Sequence, residues 1–308
     1  MTKLYFILGC TAVGKGAIAR EIARRVGGQI VSVDSMKVYR RMDIGTAKPS
    51  AEDRAAVAYH CIDVVEPSDS FSVAQYVALA DHAVASIAQA GAIPLAVGGT
   101  SLYIKALSEG LFEGPGGDPA VRAALKARAA AEGWAALHHE LSIVDAEAAR
   151  RIHPNDQRRI IRALEVHQAT GVPISSLQNQ WDAGPRRYDC VFVGLRRDKT
   201  DLHRRINLRV RRMIDAGLRD EVAALLAEGA GLSIQAAQAV GYAEMIGHLR
   251  GQATLDDAVE RIKINTRQLA KKQRTWQRRW TDVRWFDLAP DATVEGAAET
   301  ILRDVSFH

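Results

Sequence analysis

Cysteine is scarce: Cys10, Cys61 and Cys190 are the only three in 308 residues, and they stand far apart. That spacing offers neither a disulfide framework nor a Cys-based zinc site. No apolar run approaches the ~20 residues that a membrane-spanning helix needs. The stretch from Met1 to Gly9 runs into a glycine-rich turn and lacks the small-residue cleavage site of a signal peptide. There is no repeat period, and no low-complexity tract beyond alanine-rich helical stretches. Nor is there a strong charge imbalance: 41 Lys plus Arg against 36 Asp plus Glu leave a net +5, which permits a nucleic-acid partner without requiring one. A composition of 47% hydrophobic and 25% charged residues excludes a disordered chain. The expectation is a cytoplasmic protein of one large domain or two smaller ones.

Short apolar runs at Leu4–Leu8, Gln29–Val33, Cys61–Val65 and Ile93–Val97 alternate with helical patterns at Lys15–Val26 and Val73–Ala90. Strand, helix, strand in this order predicts parallel pairing through right-handed crossovers, hence an α/β sheet with helices on both faces. The turn clusters Gly114-Pro115-Gly116-Gly117 and Asp182-Ala183-Gly184-Pro185 bracket a strandless segment. Within it, Pro119–Glu132, Ala135–Leu141, Asp145–Ile152 and Asn155–Thr170 read as helices. A strand at Cys190–Leu195, two basic helices and a last strand at Val283–Phe286 follow. The predicted architecture is an α/β core over 1–117 and 188–308, interrupted by an all-helical insertion over 118–187.

Gly9-Cys10-Thr11-Ala12-Val13-Gly14-Lys15 has the G-x-x-x-x-G-K spacing of a phosphate loop, directly after a strand and opening a helix. Such a loop presents successive N–H groups and a helix N-terminus to phosphate oxygens, with the lysine as point charge. The next position normally carries a Ser or Thr hydroxyl for Mg²⁺. Here it is Gly16, which counts against a kinase or ATPase but not against a phosphate-bearing ligand. Asp34 ends the second strand, where a carboxylate faces the ligand crevice as base or water-mediated metal holder; capping the next turn is the other reading. Gly98-Gly99-Thr100 would deliver the Thr100 hydroxyl to the same crevice.

Longer stretches spell a family. Val31-Ser32-Val33-Asp34-Ser35, Val38-Tyr39, Met42-Asp43-Ile44-Gly45-Thr46-Ala47-Lys48-Pro49, His60-Cys61-Ile62-Asp63 and Val97-Gly98-Gly99-Thr100-Ser101-Leu102-Tyr103 resemble the signature of tRNA dimethylallyltransferases. So do Ile152-His153-Pro154-Asn155-Asp156, Arg162-Ala163-Leu164-Glu165-Val166, Val240-Gly241-Tyr242 and Thr266-Arg267-Gln268-Leu269-Ala270-Lys271-Lys272-Gln273. The matches run in order from Gly9 to about Trp280. Cys10 stands where the family usually has proline and Gly16 where it usually has threonine. No Cys-x₂-Cys pair of a zinc finger occurs, so a bacterial-type member is expected.

The resemblance implies a P-loop NTPase-like fold and transfer of a dimethylallyl group from dimethylallyl diphosphate to an adenosine. The acceptor would be N6 of the adenosine 3′ of the anticodon in tRNA, with Mg²⁺ as cofactor. Its metal ligands stay open, and a monomer is expected. Prenyl transfer puts negative charge on a departing diphosphate, which Gly9 to Gly16, Lys15 and Arg209 (or Arg205) would cradle. Asp34 is the candidate base, and Thr100 would bind the diphosphate or orient the amine. The residues that the resemblance turns toward RNA are Asp34, Ser35, Met36, Lys37 and Arg122; Arg158, Arg159, Ile160, Ile161 and Arg162; Gly241 and Tyr242; and Lys271, Lys272, Gln273, Arg274, Trp276 and Arg278. Spacing alone reads Leu202, Ile206, Val210 and Met213 as one apolar seam and Ile262, Leu269, Trp276 and Trp280 as another. A P-loop kinase of a small metabolite accounts for Gly9–Lys15 and Asp34 but not for the basic helices. A tRNA-binding relative without chemistry would not need Lys15, Asp34 and Thr100 together.

Overall fold

The computed structural model describes residues 1–111, 114–178 and 186–308. These fall into two compact units, Met1–Ser108 with Arg187–His308, and Glu109–Arg186. No helix among the described residues is long and apolar enough to cross a membrane.

The first unit is built on six parallel strands in the order β3-β2-β4-β1-β5-β6. They are β1 (Lys3–Leu8), β2 (Gly28–Val33), β3 (Tyr59–His60), β4 (Ile93–Gly98), β5 (Asp189–Arg197) and β6 (Val283–Leu288). Side chains alternate across a strand, and in β1 both sets are buried. Tyr5 and Ile7 join the large core with Ile30, Leu95 and Val193, while Leu4, Phe6 and Leu8 are equally inaccessible on the other side. A sheet buried on both faces is what parallel crossovers require.

Helix α1 (Lys15–Val26) buries Ile18, Ala19, Ile22 and Ala23 and stops at Gly27, which is left-handed at φ 65°. Helix α2 (Ala51–Ala56) starts on a Ser50 capping box, and α3 (Val73–Gln89) on a Ser72–Gln75 box. After α4 (Ser101–Glu109) and β5 come α10 (Lys199–Asp215), α11 (Leu218–Ala227), α12 (Ile234–Ala237), α13 (Tyr242–Leu249), α14 (Leu255–Gln277) and α15 (Val294–Asp304). Leu202, Ile206, Val210 and Met213 form the buried seam of α10, as their spacing predicts. In α14 the buried stripe is Ala258, Ile262, Lys263, Thr266, Ala270 and Gln277 instead; Leu269 is 37% exposed. Cys61–Val65 is not a strand. Cys61 and Asp63 take left-handed φ of 60° and 55°, so the chain turns immediately after the short β3.

The second unit consists of α5 (Pro119–Glu132), α6 (Trp134–Val144), α7 (Ala146–Arg151), α8 (Gln157–Thr170) and α9 (Ile174–Leu177). Its core is formed by Leu125, Leu137, Leu141, Ile160, Leu164, Val166 and their neighbours. Asp145, 4% exposed, caps α7 through Ala148 N–H at 2.8 Å and accepts Ser175 N–H at 2.9 Å, which ties α9 to the start of α7. The turn cluster at 182–185 lies outside the described residues.

Candidate active site

Register decides what meets at the C-terminal edge of the sheet. Gly98 of β4 is level with Leu8 of β1 and with Val33 of β2. The chain therefore leaves three adjacent strands at one height, through Gly9, Asp34 and Gly99. This is the edge where α/β sheets hold their ligands.

The first loop can take only this path if Gly9 is bare. A Cβ there would lie 2.7 Å from Val13 Cγ1 and 3.1 Å from the Leu195 carbonyl. The loop carbonyls are taken up by cations: Lys15 Nζ donates to Cys10 O at 3.3 Å, Arg205 Nε to Ala12 O at 3.0 Å and Arg197 Nε to Val13 O at 2.9 Å. Helix α1 opens on Gly14, at φ 108°, without a side-chain cap, so its first N–H groups remain for an anion. Gly16 is exposed, and a Cβ on it would meet nothing within 4 Å.

In the second loop, Asp34 Oδ1 accepts the N–H of Met36 at 2.9 Å and of Lys37 at 3.3 Å, which fixes the carboxylate. In the third, Thr100 Oγ1 accepts Ser35 N–H at 3.2 Å. The acceptance leaves the Thr100 hydroxyl proton to be donated elsewhere. The carboxylate sits among cations. Burial pushes the Lys15 ammonium down to about 8, opposed by Asp34 and assisted by Lys37 and Arg209. Burial likewise lowers Lys37 and Arg209, and in both the nearby Asp34 works the other way.

Residues 42–48 are clamped from three sides. Glu221 accepts the N–H groups of Asp43, Ile44 and Gly45 and the Tyr242 hydroxyl, the last at 2.6 Å. A Cβ on Gly45 would fall 2.4 Å from the Tyr242 ring. Lys48, its side chain 1% exposed, donates to Tyr39 O, Asp43 and Asp63, and Asp63 also takes Arg54 at 2.6 Å. Arg209 Nη2 reaches Thr46 O at 3.5 Å.

Thus the structure brings Gly9–Gly16, Asp34–Lys37, Thr100 and Arg209 together at one sheet edge. Several residues expected to face RNA are buried or held in internal bonds. Tyr242 is fully buried on Glu221, and Ile160 and Ile161 are 0% and 6% exposed in the helical core. Each lies within a motif whose helical period necessarily includes inward-facing positions. Gly241, at φ 100°, turns the chain into α13 and donates its N–H to Glu244 at 2.7 Å. Arg122 and Arg162 both pair with Glu165, 1% exposed: Arg122 Nε at 2.8 Å and Arg162 Nη1 at 2.7 Å. Trp276 is half-buried under Arg279, whose guanidinium lies 5.2 Å from the ring centroid. Arg158, Arg159, Lys271, Lys272 and Arg278 are exposed, and Arg274 is partly buried. The clamps by Glu221 and Arg197 carry no local signal, because each joins positions that only the fold brings near.

A phosphate-loop α/β protein, with one carboxylate and one hydroxyl set beside a cationic cradle, is the class that fold and site define. The chain matches the IPP transferase family over residues 37–280 and the isopentenyl transferase family over residues 2–66. It is 46% identical over 286 residues to the tRNA dimethylallyltransferase of Geobacter metallireducens, covering 93% of each chain. With that of Anaeromyxobacter dehalogenans it shares 44% over 300 residues, 97% of each. The full-length tRNA isopentenylpyrophosphate transferase of Bacillus halodurans superposes with a TM-score of 0.73 at 40% identity, over 99% of this chain and 95% of that one. A eukaryotic dimethylallyltransferase caught acting on tRNA superposes with a TM-score of 0.80 at 26% identity, over 93% and 74%. The chain belongs to the IPP transferase family.

Proposed function

We propose that this protein transfers the dimethylallyl group of dimethylallyl diphosphate to N6 of the adenosine 3′-adjacent to the anticodon in tRNA. The observation that carries the assignment of roles is the level exit of three loops, which sets an anion cradle beside Asp34 and Thr100. The allylic C–O bond breaks with its electron pair going to diphosphate; the N6–carbon bond forms, and N6 gives up a proton. The free N–H groups at the start of α1, with Lys15 and Arg209, receive the departing charge. Preorganised donors of this kind are worth roughly 10²–10³ each in rate. Asp34, held by two backbone N–H groups, takes the N6 proton. Thr100 donates its hydroxyl to the diphosphate or the amine. The target base must leave its stack to enter the crevice, and the exposed Arg158, Arg159, Lys271, Lys272 and Arg278 supply contacts to the RNA backbone.

Among the described residues no group of three or more His, Cys, Asp or Glu could hold a metal ion. Asp34, the carboxylate at the sheet edge, would hold Mg²⁺ through water beside the diphosphate oxygens, a coordination that suits a hard cation reluctant to shed its waters. When bound, the ion would neutralise charge on the leaving group. The test is incubation with Mg²⁺, dimethylallyl diphosphate and unmodified tRNA, followed by digestion and mass spectrometry. Isopentenylated adenosine is the expected product; its absence in the presence of tRNA binding would overturn the catalytic reading.

A further inference from the structure

The phosphate loop and the Thr100 turn are joined by a residue from a distant part of the chain. Gln273 Oε1 accepts Thr11 N–H at 2.8 Å, and its Nε2 donates to Gly99 O at 3.0 Å. Both ends of the carboxamide are used, one on each loop. The polarity suits glutamine: glutamate would set an oxygen against the Gly99 carbonyl, and lysine or arginine could not accept from Thr11. The fit is close, since a Cβ on Gly99 would lie 2.6 Å from Gln273 Nε2. The strut also has a firm base. Ala258, Ile262, Thr266 and Ala270 anchor α14 in the core, so the side chain extends from a helix that is itself held.

We propose that Gln273 is a positioning residue for prenyl transfer: it sets the spacing between the diphosphate cradle and the Thr100 hydroxyl, and its carboxamide is not an RNA contact. The proposal rests on the prenyl-transfer reading above. Misplacement of reacting groups by about 1 Å can cost on the order of 10²-fold in rate. Loss of the strut therefore shows in kcat before it shows in tRNA affinity.

The experiment uses the full chain with Gln273→Met, which keeps length and bulk but makes neither hydrogen bond, and Gln273→Glu, which can keep only the bond from Thr11. Gln273→Met is expected to lower kcat roughly 10–100-fold, with the tRNA Kd and KM within about twofold. Gln273→Glu should also raise the KM for dimethylallyl diphosphate, because it places negative charge beside the cradle. Gln273→Glu serves as the second variant if Gln273→Met folds poorly; Gly99→Ala presses on the strut from its other end and, at 3.0 Å, on the Gly9 carbonyl, so it is read in combination with Gln273→Met. It should reproduce the loss in kcat, and the Gly99→Ala/Gln273→Met pair should lose less than the two single losses combined. A raised tRNA Kd with kcat intact would overturn the proposal in favour of an RNA contact, and so would unchanged kinetics or fully additive losses. If the wild-type chain forms no isopentenyladenosine, the functional reading fails first. The strut is then judged by calorimetry with inorganic diphosphate and Mg²⁺: weaker binding in Gln273→Met supports it, and equal binding overturns it.

Discussion

The two units handle positive charge in opposite ways. At the sheet edge Lys15, Lys37 and Arg209 gather around Asp34, while Arg197 and Arg205 spend hydrogen bonds on loop carbonyls. In the helical unit Arg122 and Arg162 share the buried Glu165, which also accepts Asp118 N–H at 2.7 Å. The first arrangement sets three cationic groups around one carboxylate, an excess of positive charge suited to an anion that arrives and departs. The second sets Arg122 and Arg162 on one buried carboxylate and uses that pairing to hold α5 on α8. Arginine content alone would not separate these two cases; the position of the nearest carboxylate does.

Removing the carboxylate on each side tests the contrast most sharply. Asp34→Asn should lower kcat by roughly 10²–10⁴ while the tRNA Kd and the unfolding midpoint stay near wild type; an equal loss of stability would make Asp34 a structural cap. Glu165→Gln should do the reverse, costing about 1–3 kcal/mol of unfolding free energy in a denaturant titration, with kcat largely kept at saturating substrates. The sign of its pH dependence follows from its environment. Burial alone would raise the Glu165 carboxyl, but the bonds from Arg122, Arg162 and Asp118 hold it below the usual carboxylate range. Its contribution is therefore present above that range and lost as pH falls through the lowered value.

Lys15 gives the opposite limb. With its ammonium lowered to about 8 in the free protein, kcat/KM for dimethylallyl diphosphate should fall as pH rises through 8. Bound diphosphate favours the charged form, so kcat should hold to higher pH. Lys15→Arg should move the fall in kcat/KM upward. A smaller effect is expected from Gly16→Thr. A Cβ on Gly16 meets nothing within 4 Å, so the unfolding midpoint should stay near wild type, and the added hydroxyl should tighten diphosphate binding in Mg²⁺. Smallest is Lys271→Ala, which should shift tRNA affinity only a fewfold and reduce the slope of log K against log salt by about 1.

The frame of the site was legible because its signals are local. Apolar runs mark β1, β2, β4 and β5, and the glycine spacing marks the phosphate loop. The sign of a residue's exposure was harder to read. Tyr242, Ile160 and Ile161 sit in motifs beside exposed cations, but their helices turn them inward. Cys61–Val65 looks like a strand from its apolar content. The left-handed Cys61 and Asp63 bend it instead, and Asp63 receives Lys48 and Arg54 there. Gln273 was visible as part of a motif, yet its two partners lie 262 and 174 positions away, beyond any local pattern.

The strand order also has a consequence for synthesis. Strand β1 lies between β4 and β5, and β5 begins only at Asp189, after the whole helical unit. As the chain leaves the ribosome, one edge of β1 must wait without its hydrogen-bonding partner until translation has passed through that unit. The helical unit, compact within Glu109–Arg186, builds its core from residues close in sequence and can fold during the interval. The phosphate loop that follows β1 receives Arg197 and Arg205 later still, and Gln273 last of all. The phosphate-loop motif is encoded first and its contacts are finished nearly last, so the loop reaches its complete form only once most of the protein exists.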